Sequence, residues 1–368
     1  MKKVVIGMSG GVDSAVAAYL LKEQGYEVIG LFMRNWDSLI NNDIEGNNND
    51  FNDICPQEKD YNDALLVCNK LGISLKRIDF IKEYWDYVFS YFLDELKKGR
   101  TPNPDMLCNK YIKFDLFVKE ARRLGADYIA TGHYARIDNM TLYRAKDKNK
   151  DQTYFLADVS KEQFKDVLFP IGDLTKPEVR EIAKKNNLPV ALKKDSTGIC
   201  FIGERNYQKF LHNYLKPNPG DIIDVENNEK VGRHTGLMNY TIGQRRNVGL
   251  SGNRQKHYVC GKNVNNNILY VAFGDDSEYL YSDTCIIENI NFISDKRPKN
   301  CTAKFRYRGE DYPVELQYLD NNEIKVIYKE KVKSVTPGQA CVLYDLEECL
   351  GCGFIKEVWK NNQKLWYL

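Results

Sequence analysis

Residues 2–14 read Lys-Lys-Val-Val-Ile-Gly-Met-Ser-Gly-Gly-Val-Asp-Ser, and no other stretch narrows the fold of this chain as sharply. Val4, Val5 and Ile6 form a short unbroken apolar run of the kind found in a strand buried on both faces. Gly7, Gly10 and Gly11 follow, where backbone must turn tightly and approach a ligand. Asp13 or Ser14 is placed to cap a helix through Ala15, Val16, Leu20 and Leu21, and Gly25 to end it. Strand, glycine turn and helix start make an anion site, because free N–H groups and the helix dipole both favour negative charge. The spacing excludes a Walker-type G-x-x-x-x-G-K-[ST] loop and the G-x-G-x-x-G dinucleotide turn.

Beyond this start the first third alternates strand and helix. Glu27–Met33 and Ser74–Phe80 read as strands, and Pro56–Leu71, Ile81–Gly99 and Tyr111–Leu124 as helices. Asp127–Thr131 reads as a strand ending at Gly132-His133. Repeated βα units predict an α/β fold with a parallel sheet covered on both faces and ligands at the strand carboxyl ends. Met33 is then expected near an adenine and Gly132 close to the nucleotide. The Asn- and Asp-rich stretch 35–53 reads as a mobile loop.

The 368 residues suit two or three domains, and 43% hydrophobic content supplies sizeable cores. The net charge of +2 is unevenly spread. Residues 206–262 hold nine Lys and Arg against four Asp and Glu, which points to a polyanionic partner. From about residue 276 the pattern alternates, with turns at Arg308-Gly309 and Asp320-Asn321-Asn322, as in a small closed β-barrel. The expected domains are therefore 1–205, 206–275 and 276–368.

No apolar run approaches a transmembrane length and no signal peptide opens the chain, so a cytoplasmic protein with no membrane partner is expected. Ten cysteines then read as reduced thiols. Two stand in contexts rich in hydrogen-bonding groups. Cys108 ends Gly99–Lys110, where Pro102 and Pro104 argue against helix and Lys110 and Arg100 are placed to lower a thiol pKa. Cys200 follows Ser196-Thr197-Gly198. Two such cysteines invite a paired role. Asp105 reads equally as a general acid or base and as a loop-capping residue. The four histidines have no metal-ligand spacing, and Cys349 and Cys352 read as plain strand cysteines.

Ser9–Ser14 resembles the S-G-G-x-D-S loop of the ATP pyrophosphatases, which cleave ATP between the α and β phosphates and adenylate a substrate. Further motifs narrow the resemblance: F-M-R-N-W, T-P-N-P-D-M-L-C-N, A-T-G-H-Y-A-R, K-D-Q-T-Y-F-L, S-T-G-I-C-F-I-G and Y-T-I-G-Q-R-R, in that order up to about residue 250. The chain is similar to the tRNA-specific 2-thiouridylases, which replace the C2 oxygen of the wobble uridine with sulfur. F-R-Y-R and V-T-P-G-Q-A extend the likeness more loosely, and Cys349-Leu350-Gly351-Cys352 lies outside it.

The resemblance implies ATP binding by Gly7, Met8, Ser9, Gly10, Gly11, Val12, Asp13, Ser14, Met33 and Gly132. Mg²⁺ is expected to come with ATP rather than sit on protein side chains alone. It implies catalysis by Cys108, Cys200 and Asp105, a transient Cys108–Cys200 disulfide, and persulfide sulfur from a donor protein. It implies tRNA contacts by Asn103, Pro104, Asp105, His133, Lys150, Asp151, Gln152, Arg245, Arg246, Arg306, Tyr307 and Gln339. The rival readings are another adenylating enzyme with the same loop and a non-catalytic RNA-binding protein. The first does not need two loop cysteines, and the intact Ser9–Ser14 sequence speaks against the second.

Overall fold

The computed structural model describes residues 1–44, 56–195, 206–250 and 256–368. Strand β1 (Lys3–Gly7) has its three central residues fully buried and pairs in parallel with β2 (Glu27–Arg34) and β4 (Tyr128–Ala130). With β3 (Ser74–Asp79) and β7 (Val167–Leu168) the sheet runs β3-β2-β1-β4-β7, all parallel. The strand order therefore reverses between β1 and β4. In such sheets that point opens a crevice at the carboxyl ends, and the glycine loop leaves β1 there.

Helix α1 (Val12–Glu23) buries Ala15, Val16, Ala17, Ala18 and Leu21 against one face of the sheet, together with α2 (Pro56–Leu71). Small residues allow that close approach. On the other face Val5, Leu31 and Ile129 meet two long helical rods, residues 81–97 and 104–123. Each rod holds a π-helical stretch, Trp85–Phe89 and Cys108–Leu116.

The second rod departs from expectation. Pro104 does not block it; Pro104 starts it. Asn103 caps the rod by accepting the Asp105 amide at 3.1 Å, and a proline in the first turn gives up an N–H that has no helical partner anyway. Cys108 therefore sits on a helix rather than in a loop.

The central segment forms a four-stranded sheet of β8 (Gly220–Asp224), β9 (Lys230–His234), β10 (His257–Asn263) and β11 (Ile268–Phe273). Six antiparallel strands follow: β12 (Tyr281–Phe292), β13 (Asn300–Lys304), β14 (Tyr312–Tyr318), β15 (Ile324–Lys333), β16 (Ala340–Asp345) and β17 (Glu348–Lys360). They run β12-β15-β14-β13-β16-β17, and β12 also pairs β17, which closes the barrel and removes its edges.

The hairpin of β5 (Arg136–Asp138) and β6 (Thr141–Tyr143) belongs in sequence to the first domain, yet β6 joins the barrel sheet through Tyr143 and Glu348. Asn139 and Met140 both have positive φ, the backbone of a tight hairpin turn matched to strand twist. Cys349 and Cys352 lie buried on β17, and burial holds both thiols above the ordinary range. No helix among the described residues is long and apolar enough to cross a membrane.

Candidate active site

The loop after β1 is held by its own serines. The Ser14 hydroxyl accepts the Ser9 amide at 3.2 Å and donates to the Gly11 carbonyl at 3.1 Å. The residue before α1 is Gly11, and no side chain caps the helix. This corrects the expected cap at Asp13 or Ser14: the Asp13 carboxylate turns to Lys176 and Tyr134 instead.

Two glycines allow the segments around this cradle to pack closely. Gly10 has φ +72°, and a Cβ there would stand 2.2 Å from the Asp60 carbonyl oxygen. At Gly132, after β4, a Cβ would stand 2.8 Å from the Ser14 nitrogen. Met8 points into the core and its amide donates to the Leu31 carbonyl, while Met33 is half-buried near the end of β2.

Charges ring the cradle. Lys176 reaches both Asp13 carboxylate oxygens at 2.7 and 2.9 Å, and the Tyr134 hydroxyl donates to Asp13 at 2.8 Å. Lys176 also pairs with Asp195 at 3.0 Å, as do Lys150 and Arg180. Burial alone would raise the Asp195 carboxyl, but Lys150 and Lys176 outweigh it and hold the group far below the usual carboxylate range. Across the loop, Lys193 donates to the Gly10 carbonyl, Asp60 and Asp63. The sequence motifs do not single out Lys176, Arg180, Lys193 or Asp195. One local signal was available: Thr175-x-x-Glu178 forms a capping box that puts Lys176 in the first turn of its helix.

Cys108 is 4% exposed, packed among Leu107, Ile112 and Phe117. The cations expected to activate it are engaged elsewhere. Lys110 pairs with Asp158 at 2.9 Å, and Arg100 with Glu95 and Glu288. Burial raises the Asp105 carboxyl above its ordinary value, with Lys113 opposing. Cys200 lies outside the described residues, within 196–205.

Family models match three consecutive parts of the chain: a tRNA methyl transferase HUP domain at residues 2–204, a tRNA methyl transferase PRC-barrel domain at 208–273 and an aminomethyltransferase beta-barrel domain at 282–355. Full-length relatives carry another name. The tRNA-specific 2-thiouridylase MnmA of Mycoplasmopsis synoviae is 58% identical, covering 100% of this chain and 99% of that one. The chain belongs to the tRNA-specific 2-thiouridylase family. The proteins of that name from Acholeplasma laidlawii and Bacillus cytotoxicus are 53% and 52% identical, covering 100% of this chain and 99% and 98% of theirs. Among solved structures, NMN synthetase from Francisella tularensis aligns with 57% of this chain and 74% of its own at a TM-score of 0.33 and 18% identity, too slight to bear on fold or function.

The residues that the thiouridylase pattern offers to tRNA fall into two groups. Arg245 and Arg246 are exposed, Lys150 and Gln152 are half-buried beside the cradle, and Asn103 caps the Cys108 rod, with Pro104 buried behind it. The others are held inward. His133 is buried against Phe114 and Phe169 with Nδ1 2.7 Å from the Thr131 hydroxyl, and burial, helped by Lys113, keeps it neutral. Asp151 accepts from the Ala145 amide and the Thr153 hydroxyl. Tyr307 packs on Phe155 at 4.3 Å, and Gln339 donates to the Thr101 carbonyl.

One Arg306 nitrogen donates to the Ile242 carbonyl, the Ser334 carbonyl and the Thr336 hydroxyl, tying the central segment to the barrel. Arg306→Ala leaves these acceptors without that donor and is expected to cost about 1–3 kcal/mol in urea unfolding. A stability loss below about 0.5 kcal/mol, within the range of ordinary surface substitutions, would mean that the clamp contributes little.

Proposed function

We propose that this chain catalyses ATP-dependent 2-thiolation of the wobble uridine of tRNA, giving 2-thiouridine, AMP and pyrophosphate. The end-to-end likeness to proteins named for that activity carries the reading. The open cradle at the strand-order reversal supports the activation step.

A uracil carbonyl oxygen is a poor leaving group, and adenylation makes it a good one. The C2 oxygen attacks the α phosphorus, the bond to the β phosphate breaks, and pyrophosphate leaves into N–H groups at the start of α1. Gly10 and Gly132 let the loop pack tightly against Asp60 and the first turn of α1. Lys176 and Lys193 bring positive charge to its two sides. A magnesium ion bound with ATP would supply further charge compensation for the leaving phosphates.

Sulfur arrives as a persulfide on Cys200, delivered by a donor protein. In one route its terminal sulfur attacks C2 and AMP departs with the old oxygen. The Cys108 thiolate then attacks the Cys200 sulfur, leaving sulfur on the base and a Cys108–Cys200 disulfide that an external thiol reduces. In the other, Cys108 attacks the persulfide first, forming the same disulfide and releasing hydrosulfide, which then attacks C2. Both routes need Cys108 as thiolate, hence exposure beyond its buried position. Asp105, with its raised carboxyl, is suited to proton transfer at the base.

The deciding experiment is mass analysis of tRNA nucleosides after incubation with enzyme, ATP and a persulfide donor. The expected product is 2-thiouridine at the wobble position with pyrophosphate released in step. Pyrophosphate release with another modified nucleoside would make the chain a different adenylating enzyme, and no tRNA-dependent release would leave an RNA-binding protein.

For the exposed pair, changing Arg245 and Arg246 together to Ala is expected to weaken tRNA binding and to reduce the salt slope by roughly 0.9 per lost phosphate contact. Binding measured at several salt concentrations checks it, and an unchanged slope removes both residues from the RNA surface.

A further inference from the structure

A cavity of about 160 Å³ lies where the three domains meet, away from the nucleotide cradle. Its charged lining comes from all three: Lys98 and Arg100, then Lys262 on β10, then Lys356, Glu357 and Lys364. Four of the five cations already have carboxylates. Lys98 and Arg100 share Glu95, Arg100 also meets Glu288, Lys356 pairs with Glu323, and Lys364 with Glu357.

Lys262 is the exception. It is 9% exposed, and its ammonium donates to the Gly99 carbonyl at 3.0 Å. No carboxylate lies within ion-pair distance of it among the described residues. A buried cation without a counter-charge is costly, and an apolar side chain would fill the same space at lower cost. Burial holds Lys262 down to about 7, so near neutral pH it stands at the edge of charging.

We propose that this cavity binds a small oxyanion of the phosphate class, seated on Lys262 at the joint of the three domains. Cationic residues of all three domains line the cavity, and the four oxygens of a tetrahedral anion can accept from more than one of them. Among the described side chains of the lining, Lys262 is the cation that no carboxylate side chain meets.

The position gives such a ligand a mechanical consequence. Gly99, which accepts from Lys262, has φ +76°, and a Cβ there would stand 2.6 Å from Val264. Two residues on, the Thr101 amide donates to the Pro337 carbonyl, and its own carbonyl accepts from Gln339. An anion in the cavity therefore ties the central sheet and the barrel to the stem of the Cys108 rod.

Sulfate is the probe of choice for the full-length protein, since its charge is constant between pH 6 and 8. The readout is the Lys262 side-chain carbon resonance, assigned by its loss in Lys262→Met, because oxyanions also bind the nucleotide cradle and bulk affinity would not separate the sites. Sulfate is expected to raise the pKa of Lys262 and to bind this site about tenfold more weakly at pH 8 than at pH 6, as required when a lysine titrating near 7 must be protonated for binding. If Lys262→Met does not fold, assignment by selective labelling serves, and Lys364→Met at the exposed rim should reduce the shift. A shift with tRNA in the absence of sulfate identifies an RNA phosphate as the occupant, and a shift with sulfate alone identifies a soluble oxyanion. A Lys262 titration that neither ligand moves overturns the proposal.

Discussion

Replacing Cys108 by serine is expected to abolish tRNA thiolation while sulfur still loads onto Cys200. Serine keeps the size of the side chain, and Cys108 sits fully packed on its rod among Leu107, Ile112 and Phe117, so the fold should survive. Serine lacks a nucleophilic thiolate at neutral pH, so neither proposed route can break the bond between Cys200 and its extra sulfur. Intact-protein mass after incubation with a persulfide donor should show an added sulfur of about 32 Da that a reductant removes, as expected of a reversible persulfide. Adenylation, followed as pyrophosphate release with tRNA, should persist. Cys200→Ser should also adenylate but accept no sulfur. If sulfur appears on Cys108 in the Cys200→Ser protein and thiolation continues, the roles are reversed.

The second large effect is expected at Lys176. This lysine joins Asp13, on the first turn of α1, to Asp195, beside the segment that carries Cys200. Lys176→Met leaves Asp13 with the Tyr134 hydroxyl and Asp195 with Lys150 and Arg180. An unpaired carboxylate then borders the site where negative charge develops, so adenylation should fall by about 10²–10³ in kcat, the range seen when one transition-state donor is lost. A structural role alone would lower the melting temperature and leave kcat near normal in the folded fraction. Steady-state pyrophosphate release, with folded fraction measured in parallel, separates the two. A kcat within threefold of the parent would place Lys176 outside the chemistry.

The nucleotide half of the site was legible because its signals are local. A buried strand, a glycine turn and a small-residue helix face are consecutive in sequence, and short-range backbone sterics decide each of them. The same holds for Pro56–Leu71, whose helix bounds coincide with those read from the sequence, and for Ser74–Asp79 within one residue. The Cys108 segment was misread for a local reason too. Proline is a poor helix interior residue and a good helix start, and Asn103 decides which applies by capping the turn.

By itself, then, the sequence determined the parallel-sheet domain, the anion-binding turn at its front and a β-rich end with closed-barrel patterning. Tertiary structure decided what faces what. It brought Lys176 onto Asp13 across 163 positions and Lys193 onto Gly10 across 183. It turned Arg306 inward onto three acceptors and Lys110 onto Asp158, and it paired the β5–β6 hairpin with the barrel. It left Lys262 buried at a three-domain joint, where its ammonium donates to the Gly99 carbonyl. A side chain's charge is written in the sequence, but its partner is chosen only when distant segments pack, since burial raises the cost of leaving that charge unpaired.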